Sequence, residues 1–139
     1  MAYINGKKVL SVIRTDYLNV DTTKLWENEN PSSAFTGNDI ELSNSSAFAY
    51  LIIGYKAHKD SGTITYKKIS NTIGGGDSYI GELMTIAGSS SASASCSRAF
   101  GIVSATKITF GSGRYNNNGT TNLSNDYAIP VVVYGTNIL

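Results

Sequence analysis

Short apolar runs alternate with polar turns along the whole chain, and none has the spacing of an amphipathic helix. Phe48–Tyr55 is almost continuously apolar and rich in aromatic and β-branched residues, which predicts a central core strand. Tyr127–Tyr134 is a second such run, close to the end of the chain. Pro130 within it cannot donate to a sheet ladder, so it marks the start of the paired part, a bulge or an edge. Leu25–Trp26–Glu27 reads as a short strand, and Ile40–Glu41–Leu42 alternates as a half-buried one. Thr63–Ile69 alternates imperfectly, with Ile64 and Tyr66 on one face. Tyr79–Ile86, Phe100–Val103 and Lys107–Phe110 complete the set of strand-like runs.

The punctuation agrees. Pro31–Ser33, Asn44–Ser46 and Asp60–Gly62 are turn-forming, Gly74–Asp77 is a glycine-rich loop, and Ser89–Ser95 is a low-complexity segment expected to be an exposed loop. Asn5–Gly6 between Tyr3–Ile4 and Val9–Leu10 predicts a two-residue hairpin, because both turn residues tolerate positive φ. The polar stretch Thr15–Thr23 reads as a connector. The expected architecture is therefore all-β, a β-sandwich or jelly roll of about 8–10 short strands preceded by a short N-terminal β-hairpin. Residues 1–23 would form the hairpin and connector, and residues 24–139 the sandwich domain.

Composition narrows the function. Charged residues make up only 15% of the chain, while 18 Ser, 13 Thr, 13 Asn and 14 Gly give it a hydroxyl- and amide-rich surface. That balance suits extracellular β-proteins and virion parts better than a cytosolic enzyme. The net charge is +1 and the basic residues are scattered, so the clustered positive face that nucleic acid requires is missing from the pattern. Ala47–Ile53 is the longest apolar run and too short for a membrane helix. Met1–Lys7 lacks the apolar core of a signal peptide, so the expected route is folding in a cytoplasm and release by lysis. With Cys96 as its one cysteine the chain has no internal disulfide, and its stability must come from its core or from association with copies of itself.

Candidate chemistry is sparse. His58 is the single histidine, at the polar end of the core strand, and a strand-to-turn residue is the simpler reading than a general base without a nucleophile elbow. Glu27 and Glu29 are spaced to share one strand face, which would permit a glycosidase pair, but they lead into a turn. Gly74–Asp77 lacks the lysine and helix of a phosphate loop. Cys96 has Arg98 two residues on, yet a buried inert thiol is the default. No catalytic residue, metal site or cofactor is expected. The strongest recognition candidate is the polar stretch Gly113–Asn122, read as a loop. Tyr115 supplies an aromatic face, and Asn116, Asn117 and Asn118 supply amides that donate and accept together, as saccharide contacts require. Trp26 is a further stacking candidate.

The opening Met1–Leu10, Leu25–Phe35 and Asn38–Leu42 resemble small tail-associated proteins of phages and prophages of Firmicutes. Ser97–Phe100, Ile108–Gly111 and Ala128–Gly135 resemble the distal, receptor-binding β-domains of their tail fibres. The resemblance implies a homotrimeric, non-enzymatic head domain in the virion tail, in contact with other tail proteins and with a host cell-surface saccharide. Unlike long fibres, this chain carries no collagen-like or coiled-coil shaft. The alternatives are a monomeric bacterial carbohydrate-binding module and a small glycan-active enzyme.

Overall fold

The computed structural model describes residues 3–4, 7–8, 21–37, 39–74, 78–84 and 94–138. The elements are β1 (Tyr3–Ile4), β2 (Lys7–Lys8), β3 (Thr22–Glu27), β4 (Asp39–Glu41), β5 (Tyr50–His58) and β6 (Thr65–Ser70). They continue with β7 (Ser78–Met84), β8 (Ala94–Ser104), β9 (Lys107–Asn117), β10 (Thr120–Leu123) and β11 (Tyr127–Thr136). Every pairing is antiparallel. No helix occurs among the described residues, so none there is long and apolar enough to cross a membrane.

β1 and β2 pair as a two-stranded sheet of their own, Ile4 opposite Lys7, as the Asn5–Gly6 signal requires. The second strand lies on Lys7–Lys8; the expected Val9–Leu10 falls outside the described residues, as does most of the connector. β3 begins at Thr22, two residues before the expected start of the sandwich.

Two antiparallel sheets then pack face to face. One has the order β3-β11-β5-β6, the other β10-β9-β8-β7 with β4 alongside the first part of β9. The two apolar runs of the sequence, β5 and β11, are the inner strands of the first sheet, which explains their lack of alternation: Leu51–Lys56 and Ala128–Val133 are buried throughout. Pro130 resolves as a bulge, since the β11–β5 register shifts between Pro130 and Val132. The second sheet alternates instead. Ala94, Cys96, Arg98, Phe100 and Ile102 of β8 point inward, and Ser95, Ala99 and Val103 do not. Leu25, Ile40, Leu51, Ile53, Ile80, Phe100, Ile108, Phe110 and Val133 fill the space between the sheets.

Three local readings change. Ile64 precedes β6 and is exposed, so it shares no strand face with Tyr66. Ala94 and Ser95, read as the end of a loop, open β8, whereas residues 85–93 lie outside the described set. Arg98, counted among the scattered basic residues, is the largest wholly buried side chain among the described residues.

Tyr55 of β5 is also buried between the sheets, its hydroxyl donating to the Gly81 carbonyl (2.8 Å). Burial pushes its pKa up to about 12, with the charges of Glu82 and Cys96 adding to the shift. The unfolded chain would lose this proton near the ordinary value of 10.0. Between these values the native state holds a proton that the unfolded state has released, so stability falls as pH rises through this window. An absorbance titration should show a late tyrosine step near pH 12 that belongs to Tyr55. Tyr55→Phe should remove that step and flatten the alkaline loss of stability; an unchanged profile would reject this account.

Candidate functional site

The stretch expected to be a recognition loop is a hairpin. β9 runs on to Asn117, Asn118 and Gly119 form the turn, and β10 returns with Thr120 opposite Asn117. Both turn residues have positive φ, 50° and 88°, the backbone of a type I′ turn that follows strand twist. Asn118–Gly119 is thus the same signal that marks Asn5–Gly6. Its strands escape a reading by hydrophobic alternation because β10 is exposed along its whole length.

A bulge sets which side chains the hairpin turns toward the other sheet. Phe100 pairs with Phe110 but Arg98 pairs with Gly113, so β9 carries one extra residue opposite Ala99. The inward phase of β9 therefore passes from Ile108 and Phe110 to Gly113 and Tyr115.

Tyr115, half-buried, reaches across the end of the sandwich and stacks on Tyr127 of β11, ring centroids 4.5 Å apart and planes at 15°. His58 meets Tyr127 edge-on at 4.8 Å, from the cross-strand position in β5. Its Nδ1 accepts the Asp60 N–H (3.1 Å). Lys59 lies beside Asp126 at 3.6 Å. Burial raises the Tyr127 hydroxyl pKa above the ordinary tyrosine range, with the charges of Tyr115, Asp126 and Cys96 adding to it. His58 is therefore part of an aromatic footing under the hairpin.

The four hairpin candidates have distinct environments. Asn116 is engaged within the hairpin: its Nδ2 donates to Thr121 Oγ1 (2.8 Å) and its Oδ1 accepts the Gly119 N–H (3.2 Å). Asn117 and Asn118 are exposed at the tip, and Tyr115 lies below them on the stack. Trp26 stands apart, on β3 of the other sheet, where it is half-buried and edge-on to Phe35 (6.2 Å). Phe35 in turn packs edge-on against Phe110 (5.7 Å), so Trp26 ends a row of core aromatics.

Compared with protein-family models, curated proteins and solved structures, the chain matches none.

The other chemical candidates resolve structurally. Glu27 ends β3 and pairs with Lys24 (3.2 Å), whereas Glu29 lies in the turn beyond, so the two do not share a strand face. Cys96 is buried, and burial raises its thiol pKa. Arg98 does not activate it. The guanidinium lies over the Phe35 ring (5.2 Å) and gives all five N–H groups to main-chain carbonyls. The acceptors are Ala128 (2.8 Å), Phe35 (3.1 Å), Gly111 (2.9 Å), Asn125 (3.3 Å) and Tyr127 (2.9 Å). Burial lowers its pKa to about 10, still far above neutrality, so it remains a cation. The carbonyls of residues 125, 127 and 128 belong to the segment that carries Tyr127 into the stack, which links this buried charge to the footing of the hairpin.

Proposed function

We propose that this chain is a non-enzymatic adhesin and structural component of a phage or prophage tail, a homotrimer in the virion whose β9–β10 hairpin contacts a host cell-surface saccharide. The observation that carries the binding part is the stacked Tyr115–Tyr127 pair beneath a two-residue turn with exposed Asn117 and Asn118. A saccharide ring stacks on an aromatic ring, while an adjacent amide donates to one hydroxyl and accepts from another. Here Tyr115 and Asn117 stand on a paired strand and Asn118 in the tight turn that closes it, so little backbone ordering entropy is lost on binding. The tail assignment rests on the sequence resemblance and on the low charge of the surface.

The alternative from the sequence is a monomeric carbohydrate-binding module, which would use the same hairpin chemistry and differ in mass. Light scattering on a size-exclusion column separates the two. A mass three times the 14.8 kDa of one chain supports the tail component, and a monomer supports the module. Binding is then measured on host cells and on a glycan array. Tyr115→Ala is expected to weaken it at least tenfold, as loss of a stacking platform and its footing should; equal binding by wild type and variant would overturn the hairpin site.

A further inference from the structure

The hairpin turn carries a second kind of chemistry. An asparagine followed by glycine is the dipeptide in which the main-chain nitrogen attacks the preceding side-chain amide most readily, because glycine puts no side chain in the way. The chain has two such pairs, Asn5–Gly6 and Asn118–Gly119. In the second, Asn118 and Gly119 are both exposed. The attacking nitrogen is engaged: Gly119 N–H donates to Asn116 Oδ1 at 3.2 Å. Asn116 is itself fixed, because its Nδ2 donates to Thr121 Oγ1 at 2.8 Å.

We propose that Asn118 is a site of spontaneous deamidation and that Asn116 restrains it by holding the Gly119 N–H. In the reaction Gly119 N gives its proton to a solvent base and bonds to Asn118 Cγ. The Cγ–Nδ2 bond breaks, ammonia leaves with a proton from water, and a cyclic imide remains. Water then adds to either imide carbonyl and opens the ring to aspartate or isoaspartate. The sum is amide plus water giving acid plus ammonia. While Asn116 Oδ1 accepts the N–H, that proton is held and the nitrogen is turned toward Asn116, so the hydrogen bond must open before the attack.

The product would alter the tip. A carboxylate replaces an exposed amide, and one negative charge is added to a chain whose net charge is +1. Isoaspartate also lengthens the main chain by a methylene, which a two-residue turn between Asn117 and Thr120 accommodates only by shifting the pairing. This inference holds whether or not the hairpin binds a saccharide.

The test follows conversion at Asn118 by peptide mass and isoaspartate content in the intact protein, incubated in mildly alkaline buffer. A chain unfolded in guanidinium gives the unrestrained rate. Wild type should convert more slowly when folded than when unfolded. Asn116→Ala should convert roughly two- to tenfold faster than wild type when folded, the range expected for removing one neutral hydrogen bond. Thr121→Val keeps the Asn116 acceptor for the Gly119 N–H and removes the Thr121 partner, so it should stay near the wild-type rate. Equal folded rates for wild type and Asn116→Ala would overturn the proposal. So would a Thr121→Val rate as high as that of Asn116→Ala, which would assign the effect to the lost Thr121 bond, or a folded wild type that converts as fast as the unfolded chain.

Discussion

Replacing Arg98 with methionine is expected to remove about 4 kcal/mol or more of stability, enough to leave a typical domain close to unfolding. Opposing terms decide this figure. Burying a cation that has no carboxylate beside it among the described residues costs several kcal/mol, and methionine would recover that cost. Against it stand five charge-assisted hydrogen bonds, each contributing about 1.5–3 kcal/mol. Their sum exceeds the recovery, and methionine leaves five carbonyls without this donor in a site that is 1% exposed. Arg98→Lys is the sharper variant. It keeps the charge, but three donors on one nitrogen cannot reach acceptors distributed over Phe35, Gly111 and the segment Asn125–Ala128. Its loss should approach that of methionine. Urea unfolding followed by circular dichroism measures both. A loss below about 1 kcal/mol for methionine would mean that the five hydrogen bonds do little more than offset the cost of burying the charge.

The expected damage is specific because of what the guanidinium holds. Ala128 has φ of 51°, a left-handed conformation that costs a residue with a Cβ about 1 kcal/mol or more. Arg98 Nε donates to the carbonyl of that residue, and Nη2 donates to the carbonyl before it. The same segment is tied to the irregular stretch at Phe35 by Phe35 N–H to Asn125 O (3.0 Å) and to the bulge by Gly113 N–H to Asn125 Oδ1 (3.0 Å). Two sheets, the stretch at Phe35 and a strained residue therefore share one cation.

Much of this architecture was legible along the chain. The continuous apolar runs are inner strands, Pro130 is a bulge, and Cys96 is a buried thiol. Arg98 had a readable signal too. It occupies an inward slot of the alternation Ala94, Cys96, Arg98, Phe100, Ile102, so its burial follows from period two once charge is not equated with surface. The Asn118–Gly119 turn was equally readable, and the polarity of its strands obscured it. The Tyr115–Tyr127 stack was not readable. It depends on the phase change at the β9 bulge and on how the two sheets meet, and both are set by contacts remote in sequence. The same remoteness separates Trp26 from the hairpin residues, which the sequence grouped only by chemical kind.

Gly113→Ala is expected to cost about 3 kcal/mol, at the upper end of overpacking, and to lower the melting temperature by about 10 °C for a domain of this size. A Cβ at this position would lie 2.4 Å from the Ser124 carbonyl oxygen, 2.6 Å from that of Tyr127 and 2.7 Å from Arg98 Nη2. Side-chain rotation relieves none of the first two contacts, because both are main chain. Moving the Ser124–Tyr127 segment away stretches the bond from Ser124 N–H to Gly113 O (2.8 Å) and that from Nη2 to Tyr127 O (2.9 Å). Moving β9 instead disturbs its pairing with β8 at Arg98. Each relaxation thus disturbs the main chain packed around Arg98. Gly111→Ala is the control, two residues away on the same strand and on the same bulge. Its Cβ would meet Ala99 at 3.7 Å, an ordinary contact, so its stability should stay within about 0.5 kcal/mol of wild type. Calorimetric melting of the two variants separates the explanations. A large loss at Gly113 with none at Gly111 places the constraint in the carbonyl cluster around Arg98, whereas equal losses would place it in the bulge itself and overturn this account of how the hairpin is anchored.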